Sequence, residues 1–211
     1  GVILQGAETP FMKEVLKGIQ EACAEVDNLG GTVLVHKIEH QNAEDVILAM
    51  EKMRMEEVSG IAMVPLDEER VKREIDRFVE EFRIPVVTFT SDVEDTKRLC
   101  FVGQNGVQCG RAAAGLMGEL TGGKGKVAVI SGYSTNTSLS SRVVGFREEI
   151  ARKYPGIEII GPEYCFEENG RARELRKGYL RMFRILTGYI LLLMGRRGCV
   201  RQLPERGKLV R

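Results

Sequence analysis

The side chains of this 211-residue chain that could act on a ligand fall in four polar segments, residues 5–12, 65–68, 90–95 and 132–142. The first carries the aromatic ring of Phe11, two positions after the hydroxyl of Thr9; the third begins Thr90-Ser91-Asp92; the fourth ends on Arg142. An aromatic face offers a platform for C–H groups, while carboxylate, guanidinium and hydroxyl side chains pair with hydroxyls at fixed geometry. Together these groups suit a polyol ring, apolar on its faces and hydroxylated around its rim. Two plainer roles stand beside this one: Phe11 as a core anchor of its helix, and Arg142 as a solvated helix residue.

Catalysis asks for a nucleophile with a base, a metal cluster or a phosphate cradle, and the sequence offers none of them convincingly. The glycine after the first strand reads Gly6-Ala7-Glu8, so the G-x-G-x-x-G fingerprint of dinucleotide sites is missing. The segment 118–125, Gly-Glu-Leu-Thr-Gly-Gly-Lys-Gly, imitates a phosphate loop without its closing Ser or Thr. It follows a helical pattern and precedes a strand, the reverse of the order a phosphate loop needs, and reads as a helix-ending turn. His36 and His40 are spaced like a helical metal pair, but they straddle a strand end, where that spacing does not share a face. Ser134, Ser138, Ser140 and Ser141 have no histidine near them in sequence and read as a hydrogen-bonding surface rather than part of a triad. The expectation is a binding protein with no catalytic residue, no metal and no cofactor.

The elements that must position these groups alternate short apolar strands with helical patterns at a repeat of about 25–30 residues, the signature of βαβ units and parallel sheets. Strands are expected at 1–4, 32–36, 60–64, 84–89, 100–102, 126–130 and 157–160. Helices are expected from Thr9 as N-cap and Pro10 as first helical residue, then over 43–55, 68–82, 107–120 and 139–153. Parallel α/β sheets bind ligands beyond the carboxyl ends of their strands, which is where the four polar segments fall.

Composition narrows the class further. Apolar residues make up 43% of the chain, enough for one large domain or two lobes of about 100 residues each. The net charge of +1 hides an uneven distribution: residues 171–211 hold 12 of the 31 Lys and Arg but only two acids, Glu174 and Glu205. That tail is +10 against −9 for the preceding residues, and the acidic body offers no footprint for DNA. Cys23, Cys100, Cys109, Cys165 and Cys199 are scattered without a C-x-x-C pair, which points to a reducing cytoplasm rather than a disulfide framework. Gly1 already lies in an apolar run, so no leader is expected, and the apolar run 185–194 is about half the length of a spanning helix, so no membrane insertion is expected.

Several of these residues carry a family resemblance. Thr9-Pro10-Phe11-Met12, followed by Val15-Leu16-Lys17-Gly18-Ile19, is similar to the N-P-F-F…G-I opening of ribose-type periplasmic binding proteins and of the ligand domains of lac-repressor (LacI) family regulators. The resemblance continues in Ser59-Gly60-Ile61…Pro65-Leu66-Asp67, Ile84-Pro85-Val86-Val87, Phe101-Val102-Gly103-Gln104-Asn105…Gly110-Arg111 and Arg142-Val143-Val144-Gly145-Phe146. It implies an α/β fold of the two-lobed periplasmic binding protein type I, with Rossmann-like lobes of parallel sheet: an N-terminal lobe over 1–103 and the first part of a second lobe over 104–175. By the same resemblance Phe11 stacks on a sugar, Thr9 replaces an Asn, and Arg142 binds ligand hydroxyls. Thr90 and Ser91, with Asp92 beside them, stand where many transport relatives carry Asp-Arg, and Phe166 matches a second stacking aromatic.

The segments 88–92 and 98–104 and the unpaired cysteines resemble the regulators more. The expected function is therefore the sugar-binding effector domain of a LacI-type regulator: cytoplasmic, homodimeric, and touching DNA only through a headpiece not present here. The alternative is the sugar-binding protein of an ABC transporter, in the periplasm or as an extracellular lipoprotein. Past Arg173 the resemblance stops, and the tail fits neither helical nor strand period for long. Residues 176–211 are thus expected to be an atypical basic tail, with the second lobe incomplete, sugar binding weak or absent and a shifted reading frame as the hypothesis. Encoding DNA that restores the family pattern in no other frame downstream of codon 175 would contradict it.

Overall fold

In the computed structural model, which describes residues 1–6, 10–38, 42–166, 168–182, 186–192 and 201–202, the βα repeat forms two sheets in two units, Gly1–Gly103 and Gln104–Arg211. The first unit holds β1 (Val2–Gln5), β2 (Val35–Ile38), β3 (Ile61–Met63), β4 (Val86–Phe89) and β5 (Cys100–Val102) in the order β2-β1-β3-β4-β5. All neighbours are parallel. The helices are α1 (Pro10–Asn28), α2 (Ala43–Met55) and α3 (Glu69–Glu80).

Local chemistry explains where these helices start. Pro10 is the first residue of α1, where its fixed φ suits a helix and its missing N–H costs nothing. Asn42 caps α2 by accepting the Asp45 backbone N–H at 2.8 Å, while Glu44 and Asp45 in the first turn and Arg54 in the last complement the helix dipole. One face of the sheet and the inward stripes of α2 and α3 form a core that includes Ile3, Met50, Met63, Ile75 and Phe78. On the opposite face α1 packs through buried Met12, with Phe11, Val15, Leu16 and Ile19 partly buried against Leu4 and Val64. Arg77 ties α3 to α2, reaching Glu74 at 3.1 Å and Glu51 at 2.8 Å. Burial raises the Glu74 carboxyl above the usual range, whereas the hydrogen bond from Arg54 holds Glu51 below it.

The second unit orders β6 (Lys124–Ser131), β7 (Gly156–Tyr164), β8 (Leu186–Leu192) and β9 (Arg201–Gln202) as β7-β6-β8-β9, with β9 antiparallel. Its helices are α4 (Gly106–Thr121), α5 (Thr137–Lys153) and α6 (Asn169–Met182). The glycines that imitate a phosphate loop end α4. Gly122 takes the left-handed conformation, φ 63°, and the Gly123 N–H donates to the Gly118 carbonyl at 2.8 Å. Helices α4 and α5 meet backbone to backbone: a Cβ at Gly110 would collide with the carbonyl oxygen of Arg142, and one at Gly145 with that of Val107. This contact lets Phe146 and Ile150 reach the core beneath.

The structure departs from the sequence reading at several strand boundaries and in the tail. β2 begins at Val35 rather than at residue 32, because parallel pairing sets Val2 opposite Val35. The tail, expected to hold no lasting element, carries α6 and β8. The apolar stripe Ala172, Leu175, Tyr179 packs on Ile130 and Cys165, a helical spacing diluted in the sequence by surrounding arginines. β8 pairs in parallel with the apolar strand β6, so neighbours rather than alternation support it. No helix among the described residues is long and apolar enough to cross a membrane. Cys23, Cys100, Cys109 and Cys165 are free thiols, and Cys199 lies outside the described residues.

The glycine contacts make a paired prediction. Gly110→Ala and Gly145→Ala should each cost about 1–3 kcal/mol by overpacking, as measured by urea unfolding. Gly115→Ala, in the same helix with nothing within 4 Å of the added methyl, should be neutral or stabilise by up to about 1 kcal/mol. Equal effects at all three positions would contradict the close approach.

Candidate ligand-binding site

The carboxyl ends of β1, β3, β4 and β5 lie along one edge of the first sheet because all four run parallel. Just beyond β4, Thr90 crosses to β5, its N–H donating to the Val102 carbonyl at 3.1 Å. Its φ of 58° is rare for a β-branched residue, and its buried hydroxyl has no partner among the described residues. Ser91 follows, 1% exposed. Asp92 is engaged within its own loop: Arg98 Nε and Nη2 each lie 2.6 Å from one of its carboxylate oxygens, and the Thr88 hydroxyl donates to it at 2.7 Å. Only Nη2 makes a hydrogen bond, and the Nε contact is a close ion pair; this partly buried pair, with the Thr88 bond, fixes the loop's shape, so the first task of Asp92 is to hold Thr90 and Ser91 in place. Phe11 is partly buried against Leu4, Met12 and Val64, which fastens the start of α1 to the same edge. Thr9 lies outside the described residues.

Gln5, the last residue of β1, opens the polar segment 5–12 without being singled out within it. It is 5% exposed, and its Nε2 donates to the carbonyl of Val64, just past β3, at 2.6 Å. Its only sequence signal is an amide ending an apolar run. Arg98 opens the regulator-like segment 98–104, but nothing in its spacing marks it as the partner of Asp92.

In the second unit, β6 ends at buried Ser131 and the chain enters α5 through Asn136, which is 6% exposed and makes no side-chain capping bond. Ser138 and Arg142, four residues apart, share a helix face. The Ser138 hydroxyl is buried without a partner among the described residues, and Arg142 donates through Nη2 to the Gln104 amide oxygen at 3.3 Å. Phe166 follows β7 with φ 52°. The Tyr133 ring meets it edge-on, centroids 5.4 Å apart, and the Arg171 guanidinium lies 4.6 Å from its centroid. Arg171 is itself steadied by donating to the Tyr164 carbonyl at 3.0 Å. Sequence reasoning found the phenyl ring but neither of the side chains that fix it.

The structure thus brings Phe11, Thr90, Ser91 and Asp92 to one region of the first unit, while Arg142 and Phe166 stand on elements of the second. Among the described residues no cluster of His, Cys, Asp and Glu is arranged to hold a metal. His36 sits within β2, and His40 lies outside the described residues. A cavity of about 840 Å³ between β7 and α6, lined in part by Gly161, Glu163, Leu175 and Tyr179, contains none of the candidate residues.

Two α/β units, each with parallel strands whose ends bear hydroxyl, aromatic or guanidinium groups, place polar side chains where such sheets bind ligands. The chain belongs to the periplasmic binding protein domain family, which matches residues 1–190 and so runs past the point where the sequence resemblance stopped.

Among solved structures, the chain is similar to GanP, a glucose-galactose binding protein from Geobacillus stearothermophilus, at 25% identity and TM-score 0.79, over 89% of this chain and 65% of that one. It is similar to a sugar-binding protein of a sugar ABC transporter from Bacillus halodurans at 27% identity and TM-score 0.74, over 90% and 64%. AraP, an arabinose binding protein from Geobacillus stearothermophilus, matches at 25% identity and TM-score 0.70, again over 90% and 64%. The chain therefore spans a little under two thirds of the length of these three proteins. Comparison with curated proteins gave no significant match.

The Asp92–Arg98 pair can be measured directly. A double-mutant cycle with Asp92→Asn and Arg98→Met should give a coupling energy of about 1–3 kcal/mol in urea unfolding. Strictly additive effects would contradict the pair as the loop's clamp.

Proposed function

We propose that the chain is the sugar-binding domain of an ABC transporter's solute-binding protein, acting in the periplasm or at the extracellular face. The observation that supports this over the regulator reading is the set of relatives: three solved proteins with this fold are described as glucose-galactose, sugar-transporter and arabinose binding proteins. The segment that favoured a regulator carries less weight in the structure. Thr88, Asp92 and Arg98 bond to one another, so their identities answer to loop shape in either branch. With the regulator reading go its cytoplasmic location, its homodimer and its DNA headpiece.

In this proposal Phe11 supplies the stacking face, and Thr9, Thr90, Ser91 and Asp92 bind hydroxyls from the first lobe. Arg142 and Phe166 offer a guanidinium and an aromatic face for sugar on the second unit. No bond is made or broken. Ligand shifts a conformational equilibrium only by binding one state more tightly than the other, and that difference is what a permease would read. The chemistry suits a neutral pentose or hexose.

The test is saturation-transfer NMR with a panel of neutral pentoses and hexoses at millimolar concentration, which detects weak as well as tight binding. At least one sugar should receive saturation, and Phe11→Ala and Arg142→Met should each weaken it about tenfold, a loss of about 1.4 kcal/mol. Transfer to no sugar in the panel would contradict the proposal.

A further inference from the structure

The second unit sorts its carboxylates in a way that its fold does not require. Outside the cavity between β7 and α6, each described carboxylate of this unit has a partner. Glu119 accepts from the Tyr154 hydroxyl at 3.2 Å, Glu148 pairs with Arg111 at 3.0 Å, Glu149 with Arg152 at 2.9 Å and Lys153 at 2.7 Å, and Glu158 with Lys126 at 2.6 Å. Glu163, Glu168 and Glu174 line the cavity, and none of them makes an ion pair among the described residues. Cations are not scarce, since α6 alone carries Arg171, Arg173, Arg176 and Lys177. One turn to either side of Glu174, however, where a basic side chain would reach it, stand Gly170 and Gly178. Glycine inside a helix costs about 1 kcal/mol against alanine, and packing requires it at neither position, because an added Cβ would meet nothing within 4 Å. The two glycines keep open the space around the carboxylate between them.

The cavity holds about 840 Å³, within the range of small-molecule sites, about 300–1,000 Å³. Ile160 and Leu175 give it an apolar floor. Burial, and behind it the charge of Glu163, holds the Tyr179 hydroxyl above the usual phenol range, so that ring stays neutral. Arg171 also lines the cavity but is committed elsewhere: its Nε donates to the Tyr164 carbonyl at 3.0 Å, and its guanidinium lies over the Phe166 ring. The described lining therefore carries a net charge of −2 above apolar surface.

We propose that this cavity is a second ligand site, taking an aliphatic amine of the diamine or polyamine class. Methylene groups pack on Ile160, Leu175 and the Tyr179 ring, and the charged nitrogens are met by Glu163 on β7 and Glu174 on α6. A metal ion does not fit, because among the described residues no three carboxylates converge closely enough to hold one. Separated carboxylates suit a cation whose charges are spread along a chain. No sugar-site candidate lines the cavity, so the proposal goes beyond the sugar-binding reading and stands without it.

The experiment titrates the ¹⁵N-labelled chain with spermidine and, as a point-charge control, with magnesium chloride, following backbone amides by NMR. Spermidine should shift residues 160–163 and 170–178 along one saturable curve, and magnesium should not. Glu163→Gln and Glu174→Gln should each weaken spermidine binding about threefold to fivefold. Gly178→Leu fills the open space and should weaken it about tenfold, with an unfolding midpoint in urea that is unchanged or higher. The assignment is overturned by the absence of a saturable shift, by shifts spread evenly over the chain's acidic surface, by magnesium reproducing the same shifts, or by an unaltered curve in Gly178→Leu. If Gly178→Leu does not fold, the double variant Glu163→Gln with Glu174→Gln decides, and unaltered spermidine affinity in it overturns the assignment.

Discussion

The contact on which the position of α5 and its polar side chains depends is the approach of α4 to α5 through glycine. At Gly110 and Gly145 the opposing backbones occupy the space where a side chain would begin. Helices this close have little freedom to slide or rotate, so the amino-terminal turns of α5 are held in one orientation over the sheet. Arg142 and Ser138 inherit that orientation, and Phe146 on the same helix is fully buried beneath it. The R-x-x-G-F pattern thus carries two packing roles beside the proposed ligand role of its arginine: a glycine to admit the neighbouring helix, and a phenylalanine to lock the result into the core.

Polar groups at the strand ends divide into those already satisfied within the protein and those left open. Asp92, Arg98 and Thr88 close on one another and give the loop its shape. Gln5, Thr90 and Ser138 each keep a buried polar atom without a protein partner among the described residues, as Arg98 does at Nε. A fold selected for stability alone would have removed such atoms, since each carries a desolvation cost. Their retention at strand ends fits the proposal that partners arrive with a ligand.

Much of the architecture was legible because the signals were local. Asn42 followed by Glu44 and Asp45 marks the start of α2, and the helix expected over 43–55 is α2; the strand expected over 100–102 is β5. Where a boundary depends on a partner strand, as at Val35, the sequence misplaced it. The elements missed altogether, α6 and β8, lie in the arginine-rich tail, where Ala172, Leu175 and Tyr179 form a stripe too thin to see among charges. Candidate residues were found by type and by loop position. Their partners were not, because the link from Arg98 to Asp92, the support of Phe166 by Tyr133 and Arg171, and the fixing of Gln5 by a backbone carbonyl arise only when the chain folds.

The central claim is that the chain binds a neutral sugar through groups at its strand ends. Hydrogen–deuterium exchange with and without a saturating neutral sugar tests it most directly, because it reads each segment separately. The account predicts slower exchange on addition of sugar at residues 87–92 or at residues 132–142, with the outward face of α3 unaffected. Exchange unchanged at both segments while the sugar is bound would contradict it.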